Sequence, residues 1–245
     1  MIDYSRASET YDNTRSSSDI VVELMGRRGV FENGRKVLDF GCGTGNYIAA
    51  ISARYDCEIF GLEPSDEMRG KALSKNPGLR IEGGDHCGMP FEKGSFDFIY
   101  MTDVIHHVPD LDLLFETLFS RLRAGGRVCV LTESWKQIER RWYNAYFPSL
   151  AGNEKMRYPD IASIAERAKM SGFALLSVDV KENPGPHAID ERFLRMVGER
   201  NYSMFRMLSA AEYEAGYKAM RRGIGKSFSS PGAGESLVWL EGGVV

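Results

Sequence analysis

The sequence predicts an α/β fold with a mostly parallel sheet, helices on both faces and a helical insert before the last strand. Three observations carry that expectation. Short apolar segments alternate with stretches of helical periodicity, a glycine-rich loop joins the first strand to the next helix, and seven strand-like segments occur in all. Strands that are apolar on both faces and separated by helices must be covered on both sides.

Residues 36–40 (KVLDF) read as the first strand, and the loop after it leads into a helix at about 45–55. CEIFGL (57–62) is a second strand. The helix expected at about 65–75 has Ser65 as its cap, with Asp66 and Glu67 favouring the dipole of its first turn. LRIEGG (79–84) and FDFIYM (96–101) are the third and fourth strands. Leu111, Leu114, Phe115, Leu118, Phe119 and Leu122 fall at helical spacing, so a helix is expected over 111–123, stopped by Gly125-Gly126. RVCVLTE (127–133) is the fifth strand. A helix over 158–171 has Pro159 at its start and Gly172 past its end. FALLSVDV (173–180) and SLVWLE (236–241) complete the seven.

Two segments interrupt the alternation, at about 134–157 and 182–235. The first carries Trp135, Trp142, Tyr143, Tyr146 and Phe147. The second holds at least two helices, one opening on the capping-box pattern Ser209-Ala-Ala-Glu212. Tyr213, Tyr217 and Met220 lie at i, i+4 and i+7, which favours one face packed on the domain over a substrate contact. The expected organisation is one domain over 1–245, with an N-terminal lid of about 1–30 and the two inserts as a substrate cap.

Composition narrows the function classes. A formal net charge of −3 argues against a generally basic nucleic-acid binder. The arginine pairs Arg27-Arg28, Arg140-Arg141 and Arg221-Arg222 are scattered and read as solvated helix faces. None of Cys42, Cys57, Cys87 and Cys129 sits in a CxxC pair, so free thiols are expected, with no zinc site. The N-terminus lacks an apolar core for a signal peptide, and no stretch reaches the roughly 18 apolar residues of a membrane helix. A cytoplasmic protein, monomer or homodimer, is the expectation, with neither nucleic acid nor membrane as partner.

The glycine loop narrows the ligand. Gly41-x-Gly43-x-Gly45 strips side chains from a strand–helix turn, so a ligand can approach the backbone. A dinucleotide loop reads GxGxxG with an acid about 20 residues on. Glu63 satisfies the second condition, but Asn46 stands at the third glycine position. Asp39, just ahead of the loop, would repel a pyrophosphate and attract an ammonium. That favours S-adenosyl-L-methionine (SAM) over NAD.

VLDFGCGTGNY (37–47), LEPSDEM (62–68), GDHCGMPFEKGSFDFIY (84–100), IHHVPD (105–110) and LRAGGRVCVLTE (122–133) resemble the ordered motifs of the class I SAM-dependent methyltransferases, of the small-molecule, type 11-like kind. The resemblance covers about residues 36–133. It implies a Rossmann-like seven-stranded sheet whose last strand is antiparallel. It also implies roles: Asp39, Gly41, Cys42, Gly43, Gly45 and Asn46 around the methionine end of SAM, Glu63 on the ribose hydroxyls, and Pro64 and Met68 near the adenine. Asp85 would take the adenine amino group and the His86 amide a ring nitrogen, although the family more often has alanine at that position. Thr102 would lie near the methionine moiety, and Tyr11 and Arg15 would fold over the cofactor.

Methyl transfer from a sulfonium is an in-line displacement that yields S-adenosyl-L-homocysteine (SAH). His107, after the fourth strand, is the first candidate for a general base. Tyr143 is the second catalytic candidate, and Glu133, Tyr146 and His187 are weaker ones. A small-molecule methyl acceptor is expected. The competing readings are an NAD-dependent oxidoreductase and a non-catalytic SAM-binding protein.

Overall fold

The structure, a computed structural model, describes residues 17–242. Tyr11 and Arg15 therefore lie outside the described residues. The chain divides into two compact units: one takes the chain through Thr132, Ile161–Asp179 and the residues from Leu237 on, the other Glu133–Asp160 and Val180–Ser236.

The first unit contains α1 (Asp19–Gly26), β1 (Lys36–Phe40), α2 (Asn46–Ser52), β2 (Glu58–Leu62), α3 (Asp66–Lys75), β3 (Ile81–Glu82), β4 (Phe96–Thr102), α4 (Leu111–Arg121) and β5 (Leu122–Thr132). In the second unit lie α5 (Trp135–Glu139), a 3-10 turn (Trp142–Ala145) and α6 (Leu150–Arg157). The chain then returns to the first unit with α7 (Ile161–Met170) and β6 (Ala174–Glu182), of which that unit takes the residues through Asp179. The second insert supplies β7 (His187–Ala188), α8 (Glu191–Gly198), a 3-10 turn (Ser203–Met207), α9 (Ala210–Arg222) and β8 (Ser227–Phe228), before β9 (Gly234–Glu241).

The seven-stranded sheet has the order β3-β2-β1-β4-β5-β9-β6, mostly parallel with β9 antiparallel. Successive residues of a strand face opposite sides, and the core follows that rule. Leu38, Ile99, Met101, Val128, Val130, Val238 and Leu240 face a layer built on α4 and α7. Their neighbours Val37, Phe98, Tyr100, Cys129, Leu131, Leu237 and Trp239 face a layer that includes Val21, Val22 and Met25 of α1 and Ile48 and Ile51 of α2.

Several boundaries differ from expectation. The third strand is reduced from 79–84 to two residues, because as an edge strand it pairs only with Gly61 and Leu62 of β2. The helix expected over 111–123 ends at Arg121, and Leu122 already pairs with Phe96. The register then slips, so that Phe98 meets Arg127, and Gly125 at φ +72 lies within the extra length. Helix α7 starts at Ile161 rather than 158, because Tyr158 closes the preceding helix α6.

The second unit has its own apolar core, in which Phe147, Phe205, Tyr213 and Met220 are buried. Tyr213 and Met220 thus pack as their spacing suggested, with Tyr217 half-buried against them. Ser209 caps α9 by accepting from the Glu212 amide, while the Glu212 carboxylate is taken by the amide and hydroxyl of Ser149. Arg141 corrects the expectation of a solvated arginine pair. Its side chain is 9% exposed and pairs with Glu133 and Glu154, and Glu154 also holds Arg157. Two acids and two bases compensate each other there.

On the α1–α2 face of the sheet, Phe98 stacks on Tyr100 at 5.9 Å and on Trp239 at 5.8 Å. Phe98→Ala should therefore cost about 3–5 kcal/mol of stability in urea unfolding. A loss below about 1 kcal/mol would mean that the stack lies outside the cooperative core.

Candidate functional site

Asp39 is the fourth residue of β1, a strand flanked on both sides, and its register partners are Gly61 on β2 and Tyr100 on β4. It is 1% exposed, and its Oδ1 has no hydrogen bond of normal geometry among the described residues. Burial pushes its pKa from 3.8 up to about 8, with Glu63 adding to the rise. The Tyr100 hydroxyl across the register opposes that rise by favouring the carboxylate. This hydroxyl too falls short of a well-formed bond, so the pair is a close approach rather than a closed contact. A buried carboxyl with an unused acceptor is costly unless something cationic or protic meets it.

The loop after Asp39 turns back on β2, where the amides of Gly41 and Cys42 both donate to the Leu62 carbonyl, at 2.8 and 3.0 Å. Gly41 has φ +75, and a Cβ there would come within 2.6 Å of the Val104 side chain. Gly45 caps α2 at φ +75, with Leu79 2.7 Å from where its Cβ would be. Both positions exclude a side chain by conformation and by space. Cys42 is buried, its sulfur filling the room left by Gly61, and burial pushes its thiol far up, so it acts as packing. Asn46 is tied to Lys75 through its Oδ1 at 2.8 Å.

Glu63 follows β2 and is buried. Oε2 accepts from the Gly43 amide and Oε1 from the Ser65 amide, each at 3.0 Å. Burial raises its pKa, and those two amides and Arg69 pull it back. Each oxygen keeps a second lone pair, so two more hydroxyl donors can be accepted. Ser65 caps α3 by accepting from the Met68 amide. Met68 is buried, while Pro64 is exposed.

Asp85 lies in the loop after β3. Its Oδ1 accepts from the Cys87 amide at 2.8 Å and the Gly88 amide at 3.1 Å, leaving Oδ2 out of that turn. His86 is buried, and its carbonyl accepts from the Thr117 hydroxyl on α4. Thr102 ends β4 half-buried, and the next residue, Asp103, adopts φ +57, a left-handed backbone that aspartate tolerates better than most. The chain then enters a 3-10 turn, Ile105–His107. There the ring of half-buried His107 lies 4.1 Å from that of buried His106.

A family model described as "Methyltransferase domain" matches residues 11–178, more than half of the chain. The chain belongs to this family. The family is that of the class I SAM-dependent methyltransferases, and SAM is the cofactor of that class. Phosphoethanolamine N-methyltransferase 1 of Arabidopsis thaliana is 36% identical over 101 residues, which are 40% of this chain and 21% of that protein. The chain spans about a fifth to a quarter of the length of the first curated relatives it matches. A solved putative methyltransferase from an antibiotic biosynthesis pathway of Anabaena variabilis superposes with a TM-score of 0.70 at 20% identity, over 92% of this chain and 98% of that one. Geranyl diphosphate C-methyltransferase of Streptomyces coelicolor, solved with Mg2+, geranyl diphosphate and SAH, superposes at TM-score 0.58 and 16% identity, covering 91% and 79%.

Within this methyltransferase, the carboxylates singled out from sequence stand at or just beyond β1, β2 and β3. Two of the weaker base candidates, Glu133 and His187, already have partners. Both oxygens of Glu133 accept from Arg141, and His187 Nε2 lies 3.0 Å from the Asn183 carbonyl. Tyr143 belongs to the second unit. Its ring faces the Arg141 guanidinium at 5.9 Å, and burial pushes its phenol well above the usual range. Sequence reasoning took Tyr100 as a strand residue and missed its place beside Asp39; pairing β1 with β4 in parallel is the signal that would have found it.

The raised pKa of Asp39 has a defined sign. Between pH 3.8 and about 8 the unfolded chain has released this proton and the folded chain has not, so stability falls as pH rises through that window. The decline approaches about 1.4 kcal/mol per pH unit in mid-window. Asp39→Asn should flatten it, raising the unfolding midpoint of the ligand-free protein near pH 8 relative to wild type. Parallel pH profiles for the two proteins would contradict the burial argument.

Proposed function

We propose that this methyltransferase moves the methyl group of SAM to a small organic acceptor by in-line displacement, leaving SAH. The observation that carries the reading is the buried Asp39 carboxyl, whose Oδ1 takes no hydrogen bond of normal geometry among the described residues, beside a loop in which Gly41 and Gly45 exclude side chains. An α-ammonium meeting this group would draw it into its ionised form, whereas a pyrophosphate would oppose that ionisation, which speaks against the NAD-dependent oxidoreductase.

In this reading Asp39 and the amides of Gly41–Gly45 hold the amino-acid end of SAM, with Thr102 nearby. Glu63 accepts the ribose hydroxyls, and Asp85 Oδ2 accepts the adenine amino group. SAM supplies an electrophilic methyl on its sulfonium. The protein's task is to align that methyl with the acceptor and keep water away, and orientation of this kind is worth on the order of 7–11 kcal/mol of barrier. His107 is the residue we assign to take a proton from the acceptor. Tyr11 and Arg15 would cover the bound cofactor, and the segments about 134–157 and 182–235 would select the acceptor. The relatives named above act on nitrogen in one case and carbon in another, so they support a small acceptor without fixing the accepting atom.

Thermal unfolding with SAH, SAM or NAD tests the reading first. Each is added at about 100 times a plausible dissociation constant, where a binder gains roughly 2.7 kcal/mol. The adenosyl compounds should stabilise the wild type, and Asp39→Asn should remove most of that gain. Stabilisation by NAD alone would overturn the proposal. SAH binding with no labelled methyl transferred across a metabolite screen would favour the binding-only protein.

With an acceptor in hand, His107→Gln should lower kcat by about 10²–10⁴ and leave SAH affinity unchanged. An unaltered kcat would remove His107 from the chemistry.

A further inference from the structure

The loop after β3 carries more chemistry than methyl transfer uses. Asp85, His86 and Cys87 each present a ligand atom, and the three atoms lie within 4.8 Å of one another. Cys87 Sγ sits 3.5 Å from His86 Nε2. In a tetrahedral zinc site, Zn–S near 2.3 Å and Zn–N near 2.0–2.1 Å place sulfur and nitrogen about 3.5–3.6 Å apart. The thiol and imidazole therefore already stand at the separation of two ligands on one ion.

The loop is also held in that shape. Asp85 Oδ1 accepts from the Cys87 and Gly88 amides, which turns the chain back and leaves Oδ2 for coordination. Thr117 fixes the His86 carbonyl to α4. Cys87 is exposed and Asp85 half-buried, so an ion can enter from solvent and keep a water as its fourth ligand. A sulfur and nitrogen pair selects a thiophilic ion over magnesium or calcium.

We propose that Asp85, His86 and Cys87 bind a thiophilic divalent cation of the zinc class, and that the ion and SAM exclude each other at this loop. On binding, the Cys87 thiol releases its proton to solvent and the sulfur takes the ion. The exclusion rests on the cofactor reading above, because the ion occupies the Asp85 carboxylate assigned to the adenine amino group. The metal would thus act as a brake on cofactor binding.

Cobalt(II) is the probe, since a thiolate bound to it gives a charge-transfer absorption in the near ultraviolet. Titrating the full chain with Co2+ should develop that band to saturation at one equivalent, and Zn2+ should bleach it. Cys87→Ser should abolish the band, His86→Ala should weaken binding at least tenfold, and Cys57→Ser should leave it intact. No band in the wild type, or an undiminished band in Cys87→Ser, overturns the site. SAH, its own binding measured by calorimetry without metal, should raise the apparent Co2+ dissociation constant severalfold. If SAH binds and the constant does not move, the site stands and the brake falls. If SAH does not bind at all, the cofactor reading and the brake fall together, and the band alone decides the site.

Discussion

A carboxyl group buried at 1% exposure near the end of β1 is the constraint to which the rest of the first unit conforms. Ionised and alone it would cost several kcal/mol in such a place, so it keeps its proton to about pH 8 instead. Its neighbours in the sheet are what bury it. Gly61 sits across on β2, with Cys42 and Ile48 filling the space a side chain would take, and Tyr100 sits across on β4. The turn that follows can close over the end of β2 only because Gly41 and Gly45 carry no side chain against Val104 and Leu79.

What the sequence made legible is what local pattern encodes. Strands β1, β4, β5 and β9 were readable because residues on both faces are apolar, and the structure divides them alternately between two layers. Ser65 and Ser209 were readable as caps because the relevant amide is three residues away in each case. In the candidate site, the Asp39 loop and Glu63 were found because β1 and β2 end where their periodicity ends. Hidden were the features set by partners far along the chain. Arg141 looked like half of a solvated pair, yet its charge is met by Glu133 and Glu154, eight and thirteen residues away. Leu122 looked like the last turn of a helix, and pairing with Phe96 draws it into β5. The β7–β8 ladder joins two-residue strands about forty residues apart, far too short for any period to show.

Asp39, Glu63 and Asp85 are prepared in three different ways, and the difference bears on selectivity. Asp85 is half exposed and already bonded through one oxygen, so a donor meeting Oδ2 replaces water and gains little net energy. Glu63 is buried, but two amides already offset part of its desolvation, and each oxygen keeps a lone pair for an added hydroxyl. Of the three, Asp39 alone is buried with an acceptor atom that takes no hydrogen bond of normal geometry among the described residues. A cation arriving there favours the ionised carboxylate and lets it release its proton, whereas an anion opposes that ionisation in a place of low dielectric. In the proposed reading, the amino-acid end of SAM therefore carries more of the discrimination than its adenosine, which NAD also possesses. Glu63 would serve either ligand, and Asp39 only one.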